Sequence, residues 1–298
     1  MRSRLRCTLF SFKMLTLCLL GTSMGCAQHG KLEVVADFPK SLNEVSGMWA
    51  AGEAAVWVIE DSSNPDRLFE VDTSGQLLRS FKVKGGGNKD WEALAADSLG
   101  NVYIGDFGNN GNSRKNLRIY KVPDPRIEPG DKIDAERLDF NYPEQEEFPP
   151  TSDSMRFDAE ALFHYQGMLY IIGKNRSDPF DGTADVWRIP DSTGTYEASH
   201  ITQLQLCRDF ETCQITGATL SPSGERLVLL SYGKLFVYED FGKRSFSQTP
   251  RVIDLETRSQ LESISFVTNT LLYLADERSH GRGGNLYRFE LPYPAFKK

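Results

Sequence analysis

The residues best suited to chemistry sit in a short motif that recurs five times. It reads Asn43-Glu44-Val45-Ser46-Gly47-Met48, Lys89-Asp90-Trp91-Glu92-Ala93-Leu94 and Phe157-Asp158-Ala159-Glu160-Ala161-Leu162, then Cys213-Gln214-Ile215-Thr216-Gly217-Ala218 and Ser259-Gln260-Leu261-Glu262-Ser263-Ile264. The fourth position supplies Ser46, Glu92, Glu160, Thr216 and Glu262, and the second supplies Glu44, Asp90, Asp158, Gln214 and Gln260. Three carboxylates brought to about 5 Å repel by roughly 3 kcal/mol per pair at an effective dielectric of about 20, so they must take up protons or share a cation. Carboxylate, hydroxyl and amide oxygens are hard donors that suit Ca²⁺ better than Zn²⁺ or copper. The four histidines, at 29, 164, 200 and 280, do not pair at zinc-ligand spacing. Taken singly, each acid reads as a turn cap or a partner for backbone amides. As a set, Glu92, Glu160 and Glu262 read as a cation site, with Ser46 and Thr216 beside them.

Such a set forms only if distant segments converge, and the elements between the motifs predict that they do. After each motif comes an apolar run: Val56 to Ile59, Val102 to Ile104, Met168 to Ile172, Leu227 to Leu230 and Leu271 to Leu274. A third run carries an aromatic, as in Arg67-Leu68-Phe69-Glu70-Val71 and Asn285-Leu286-Tyr287-Arg288-Phe289. A weaker fourth run follows in the first four units but not in the fifth. The unassigned segment from Leu32 to Phe38 supplies the missing strand. This pattern predicts an all-β, five-bladed β-propeller over residues 31–298, closed by the N-terminal strand of the mature chain. Closure hides open strand edges. A β-sandwich is the competing architecture, but it gives no reason for five copies of one acidic first strand. No segment has an apolar helical period long enough for a core helix.

In a propeller the first strands begin, and the second strands end, on one face of the disc. The loops after the second strands bring Asp61, Asp106 and Asp276 to that mouth, beside Glu44, Asp90 and Asp158. Lys174, Arg176 and Arg278 are its basic candidates. Asp106-Phe107-Gly108-Asn109-Asn110-Gly111 reads as a tight turn rather than a phosphate cradle, since no Lys-Ser or Lys-Thr follows. The opposite-face turns, such as Asp72-Thr73-Ser74-Gly75, read as plain turns.

The first 25 residues read as an export signal. Arg2, Arg4, Arg6 and Lys13 precede the apolar stretch Met14 to Leu20, which is too short for a membrane span. Ser23-Met24-Gly25-Cys26 resembles a bacterial lipobox, which makes Cys26 the candidate lipidated residue; ordinary cleavage near Ala27 is the alternative. The expected location is the cell envelope, lipid-anchored, or else periplasmic or secreted. Without residues 1–25 the chain carries 30 basic and 41 acidic residues, a formal charge of −11. That balance argues against nucleic acid, whose phosphates need Lys and Arg. Cys207 and Cys213 either close a small disulfide loop, stabilising by about 2 kcal/mol, or remain buried thiols.

At these motifs the chain resembles the SdiA-regulated family of bacterial envelope proteins, and more distantly the phytase-like and strictosidine-synthase-like propellers. The matching segments are Glu44-Val45-Ser46-Gly47, Asp90-Trp91-Glu92, Asp158-Ala159-Glu160-Ala161-Leu162, Ile215-Thr216-Gly217-Ala218 and Glu262-Ser263-Ile264. Leu272-Tyr273-Leu274-Ala275-Asp276-Glu277-Arg278 also fits. The resemblance implies a propeller with a Ca²⁺ site at the channel, ligated from Glu92, Glu160 and Glu262 with Ser46 and Thr216 nearby. Ala93, Ala161 and Ser263 stand where the family has glycine after the glutamate.

Three functions fit these residues. One is a Ca²⁺-stabilised recognition module for a small molecule or an envelope protein. Another is a Ca²⁺-dependent phosphoester or lactone hydrolase, with Glu92 or Asp90 as base. The third is a structural envelope protein.

Overall fold

In a computed structural model, residues 29–292 are described. The export signal and the candidate lipid site Cys26 lie outside the described residues. Strand β1 (Glu33–Asp37) is followed by β2 (Val45–Ala50), β3 (Ala55–Glu60), β4 (Arg67–Asp72) and β5 (Leu77–Lys84). Next come β6 (Trp91–Ala96), β7 (Val102–Asp106), β8 (Leu117–Val122), β9 (Lys132–Asp134) and β10 (Glu136–Asn141). The third group is β11 (Ala159–Tyr165), β12 (Met168–Gly173), β13 (Thr183–Pro190), β14 (Gly194–Glu197) and β15 (Ser199–Gln205). The last are β16 (Ile215–Leu220), β17 (Leu227–Ser231), β18 (Lys234–Tyr238), β19 (Arg251–Asp254), β20 (Leu261–Phe266), β21 (Leu271–Asp276) and β22 (Asn285–Glu290).

These strands make five sheets, in the orders β2-β3-β4-β5-β9, β6-β7-β8-β10-β14, β11-β12-β13-β15, β16-β17-β18-β19 and β20-β21-β22-β1. The inner strands β2, β6, β11, β16 and β20 pack side by side around an axis, so the protein is a five-bladed β-propeller. Strand β1 pairs antiparallel with β22 and completes the fifth blade, as the spare N-terminal segment predicts.

Two strands were not legible in the sequence. Strand β9 leaves the second blade and pairs in parallel with β5 of the first. Strand β14 likewise leaves the third blade to pair in parallel with β10 of the second. Both are short and polar, so they carry no apolar run to announce them. They cover edges that would otherwise present unpaired backbone. The helices α1 (Phe210–Cys213) and α2 (Phe241–Arg244) are single turns. No described helix is long and apolar enough to cross a membrane.

The core is divided into five apolar clusters, one between each pair of neighbouring blades. Strand alternation explains the division. In β7, Val102 and Ile104 face the first blade while Tyr103 faces the third. Both faces of a middle strand are therefore buried, and its sequence is apolar without a break. Trp57, Trp91 and Trp187 are among the largest fully buried side chains, each filling a gap between blades.

Phe38 follows the closing strand and packs with Val45, Val56 and Tyr273 between the fifth and first blades. It is 3% exposed. Phe38→Ala should lower the unfolding free energy by about 3–5 kcal/mol, read as a shift in the urea midpoint.

Candidate functional site

Each inner strand carries a β-bulge at the fourth motif position. In β2, Val45 pairs with Glu60 and Gly47 with Ile59, which leaves Ser46 unpaired. Glu92, Glu160, Thr216 and Glu262 are the extra residues of their own strands in the same way. A bulge re-aims the side chain it carries. The second-position residues lie just before their strands begin, so simple two-residue alternation does not relate the two sets.

The five bulged residues then divide by chemistry. Ser46 Oγ donates to the Trp91 carbonyl at 2.6 Å, and Thr216 Oγ1 donates to the Leu261 carbonyl at 2.6 Å. Both hydroxyls thus tie one inner strand to the next. The glutamates have no hydroxyl to spend in this way and remain as carboxylates in the mouth. All three are buried: Glu92 at 5%, Glu160 at 4% and Glu262 at 7% exposure.

Internal cations partly neutralise one side of the mouth, where Lys174 and Arg176 face Asp158 and Glu160 while Glu262 keeps one oxygen buried without a partner. Lys174, which follows β12, places Nζ 3.0 Å from Glu160 and 3.1 Å from the Tyr232 hydroxyl. Tyr232 donates in turn to Glu262 at 2.7 Å. Burial works against the Lys174 ammonium, yet Glu160 and Glu262 together hold its pKa well above the ordinary value. Arg176 pairs with Asp158 at 2.7 Å and reaches Glu160 at 3.3 Å. Asp158 also accepts the Asn109 backbone N–H at 2.7 Å. Burial and Glu160 raise its pKa to about 6, which still leaves it ionised at neutral pH.

The other side is not neutralised in this way. Among the described residues, Asp61, Asp90 and Glu92 each offer one oxygen such that all three lie within 4.8 Å of one another. Glu160 and Glu262 are not part of that group. Asp61 comes from the loop after β3, and its carboxylate accepts the Ser62 N–H. Arg114 stands 3.9 Å from Asp90 but bonds Asp106 at 2.9 Å and the Gly108 carbonyl at 2.7 Å. Glu92 has no hydrogen-bond partner among the described residues. Its pKa is raised well above the carboxylate range by burial first, then by Glu160, Asp61, Asp158 and Asp90. Asp90 is pushed to about 7 by burial and by Asp61. Gly108 closes over the pair: a Cβ there would lie 2.3 Å from Glu92 Oε1 and 2.6 Å from Asp90 Oδ2.

The remaining expected residues serve the frame. Asp106 accepts the Asp90 N–H at 3.1 Å and binds Arg114. Asp276 accepts the Asn285 N–H at 2.7 Å, the Tyr287 hydroxyl at 2.8 Å and the Ser259 hydroxyl. Glu44 is exposed and accepts from Asn64 at 2.6 Å. Cys207 and Cys213 are joined by a disulfide with Cα atoms 5.6 Å apart, which fastens the loop leading into Thr216. Sequence reasoning missed Glu277, which burial and then Asp61, Glu44 and Glu160 push to about 7. It also named Lys174 and Arg176 only as basic candidates of the mouth, without carboxylate partners. A lysine directly after an inner hairpin, at the same end of the disc as the motif glutamates, was the available signal.

No protein family and no curated protein matches the chain. Among solved structures it is similar to the WD40 β-propeller domain of Doa1, at 14% identity and a TM-score of 0.36, over 88% of this chain and 74% of that one.

The raised carboxylates set a pH dependence. Asp90 and Glu277 titrate at about 7 and Glu262 at about 8, all above their unfolded values. Their folded forms hold protons that the unfolded chain has released, so stability falls as pH rises from about 4 to about 8. Asp181, lowered to about 2, titrates outside that window. In EDTA the urea midpoint should decline from pH 5 to pH 8.5, and less steeply in Glu92→Gln; a flat wild-type profile would refute the assignment.

Proposed function

We propose that this protein is an envelope-associated recognition module whose acidic mouth holds one Ca²⁺ on Asp61, Asp90 and Glu92, a set that shares only Glu92 with the ligands implied by its resemblance to the SdiA-regulated family. The observation that carries the reading is Glu92, a buried carboxylate without a hydrogen bond, set against two more carboxylates and roofed by a glycine. Oxygens up to 4.8 Å apart suit a shared ion whose ligands lie at about 2.3–2.6 Å. A bound cation would supply the charge that Lys174 supplies across the mouth. It would also leave coordination positions open for an oxygen-bearing small molecule or a protein partner.

Recognition is favoured over phosphoester hydrolysis by the state of the mouth's own cations. Lys174, Arg176 and Arg114 are each bonded to carboxylates, and Arg278 donates to the Phe38 carbonyl at 2.8 Å. Three of the four therefore already hold carboxylates of the protein itself. Export through residues 1–25 and lipidation at Cys26 complete the proposal. On that reading Cys26→Ser moves the protein from the membrane fraction to the soluble fraction, and unchanged fractionation would oppose it.

Calcium at a hundred times its Kd should stabilise the fold by about 2.7 kcal/mol, a rise in Tm of roughly 5–10 °C for a chain of this size. Scanning calorimetry in Ca²⁺ and in EDTA measures the difference. Glu92→Gln and Asp90→Asn should abolish it, whereas Glu160→Gln should retain it. Equal melting of the wild type in Ca²⁺ and EDTA would remove the metal from the proposal.

A further inference from the structure

The end of the channel opposite the acidic mouth opens into a cavity of about 750 Å³. Its wall is built from the last residues of all five inner strands and the turns after them, at 48–51, 94–98, 162–167, 218–224 and 264–267, with Arg126 at one side. Small-molecule sites are commonly about 300–1,000 Å³.

The charged groups of the wall already have partners. Asp97 accepts the backbone N–H groups of Leu99 at 2.9 Å and Asn101 at 3.0 Å, the Asn101 amide at 2.7 Å and the Tyr103 hydroxyl at 3.1 Å. Arg126 is bidentate on Asp124, at 2.8 and 2.6 Å, and lies over the Trp49 ring at 5.4 Å. Two hydroxyls are also spent: Ser265 accepts the Ala50 N–H and Thr219 accepts the Phe266 N–H. A wall with balanced charge selects against ions.

His164 is the exception. Its Nε2 bonds Asp191 at 2.8 Å, and its ring stacks on Tyr103 at 5.5 Å with a 9° tilt. The ring is thereby fixed, and in its neutral form Nε2 donates to the carboxylate while Nδ1 is an acceptor. Nδ1 has no hydrogen-bond partner among the described residues. Leu99 and Ile127, next in the chain to the wall residues Ser98 and Arg126, are each 79% exposed.

We propose that this cavity binds an uncharged, largely apolar small molecule, an aromatic amine or phenol in chemical class, whose single N–H or O–H is accepted by His164 Nδ1. The site is separate from the acidic mouth and does not depend on a cation there.

N-phenyl-1-naphthylamine, a neutral aromatic amine with one N–H, is the probe. Trp49 stands in the cavity wall and Trp57, Trp91 and Trp187 do not, so Trp49 is the nearest donor for energy transfer to a bound probe. Titrated into the full chain, the probe should show saturable one-to-one binding with transfer from Trp49, equal in Ca²⁺ and in EDTA. Trp49→Phe should lower the transfer, leaving a remainder from Trp57, its partner across the strand pair. His164→Phe keeps a ring over Tyr103 and should weaken binding by about fivefold, the worth of one hydrogen bond. Leu220→Arg, which places a charge at a half-buried wall position, should abolish binding while leaving the circular dichroism spectrum unchanged. Absence of saturable binding would overturn the proposal. So would binding that survives Leu220→Arg, or that is lost in EDTA, since the latter locates the probe at the mouth.

Discussion

Closing five sheets into a ring forces their inner edges toward one axis, and the bulge at the fourth motif position decides what happens there. Because each bulged residue is released from the ladder, its side chain is free to serve the junction between blades. Serine and threonine use that freedom to bond the neighbouring strand's carbonyl, as Ser46 and Thr216 do. Glutamate puts a charge at the same place. The mouth is therefore a by-product of ring closure whose chemistry is set by which bulges carry which residue.

Charge then accumulates faster than an interior can bear, and the protein answers it unevenly. Lys174 links Glu160, Tyr232 and Glu262 into one chain of contacts, and Arg176 holds Asp158. These ion pairs are buried, so each carboxylate depends on its cation: removing one partner of such a pair leaves an uncompensated charge. Asp61, Asp90 and Glu92 were given no comparable cation. Arg114 approaches Asp90, but its hydrogen bonds go to Asp106 and to backbone carbonyls.

The architecture was legible in the sequence because it repeats. Five acidic first strands, five apolar second strands and one spare strand at the start have few solutions other than a closed ring. The convergence of the mouth followed from the same repeat. What stayed hidden was local and polar. The bulges shift register by one residue without changing composition, so they leave no trace in an apolar pattern. Strands β9 and β14 pair through backbone groups, which sequence does not display. The role of Lys174 depends on distance to Glu160 and Glu262 across 14 and 88 residues of chain, and only the fold sets that distance. The cavity at the far end was hidden for a related reason: the residues that line it end ordinary strands and begin ordinary turns.

The two ends of the channel carry opposite electrostatic designs, and this contrast bears on where ligands enter. At one end, buried carboxylates outnumber their partners, so the favourable event is arrival of positive charge. At the other, Asp97 and Arg126 are matched within the protein, so a charged visitor would lose hydration without gaining a counter-charge. The pattern traces to the polarity of the inner strands. Each begins at a bulge that carries a polar residue and ends among aliphatic and aromatic side chains such as Met48, Leu94, Phe163 and Phe266. Five copies of that gradient, all pointing the same way around the axis, make a channel that is acidic at its start and apolar at its end. A scaffold of this kind separates ion binding from apolar recognition by the length of one strand, which at six residues and a rise of about 3.3 Å per residue is roughly 20 Å.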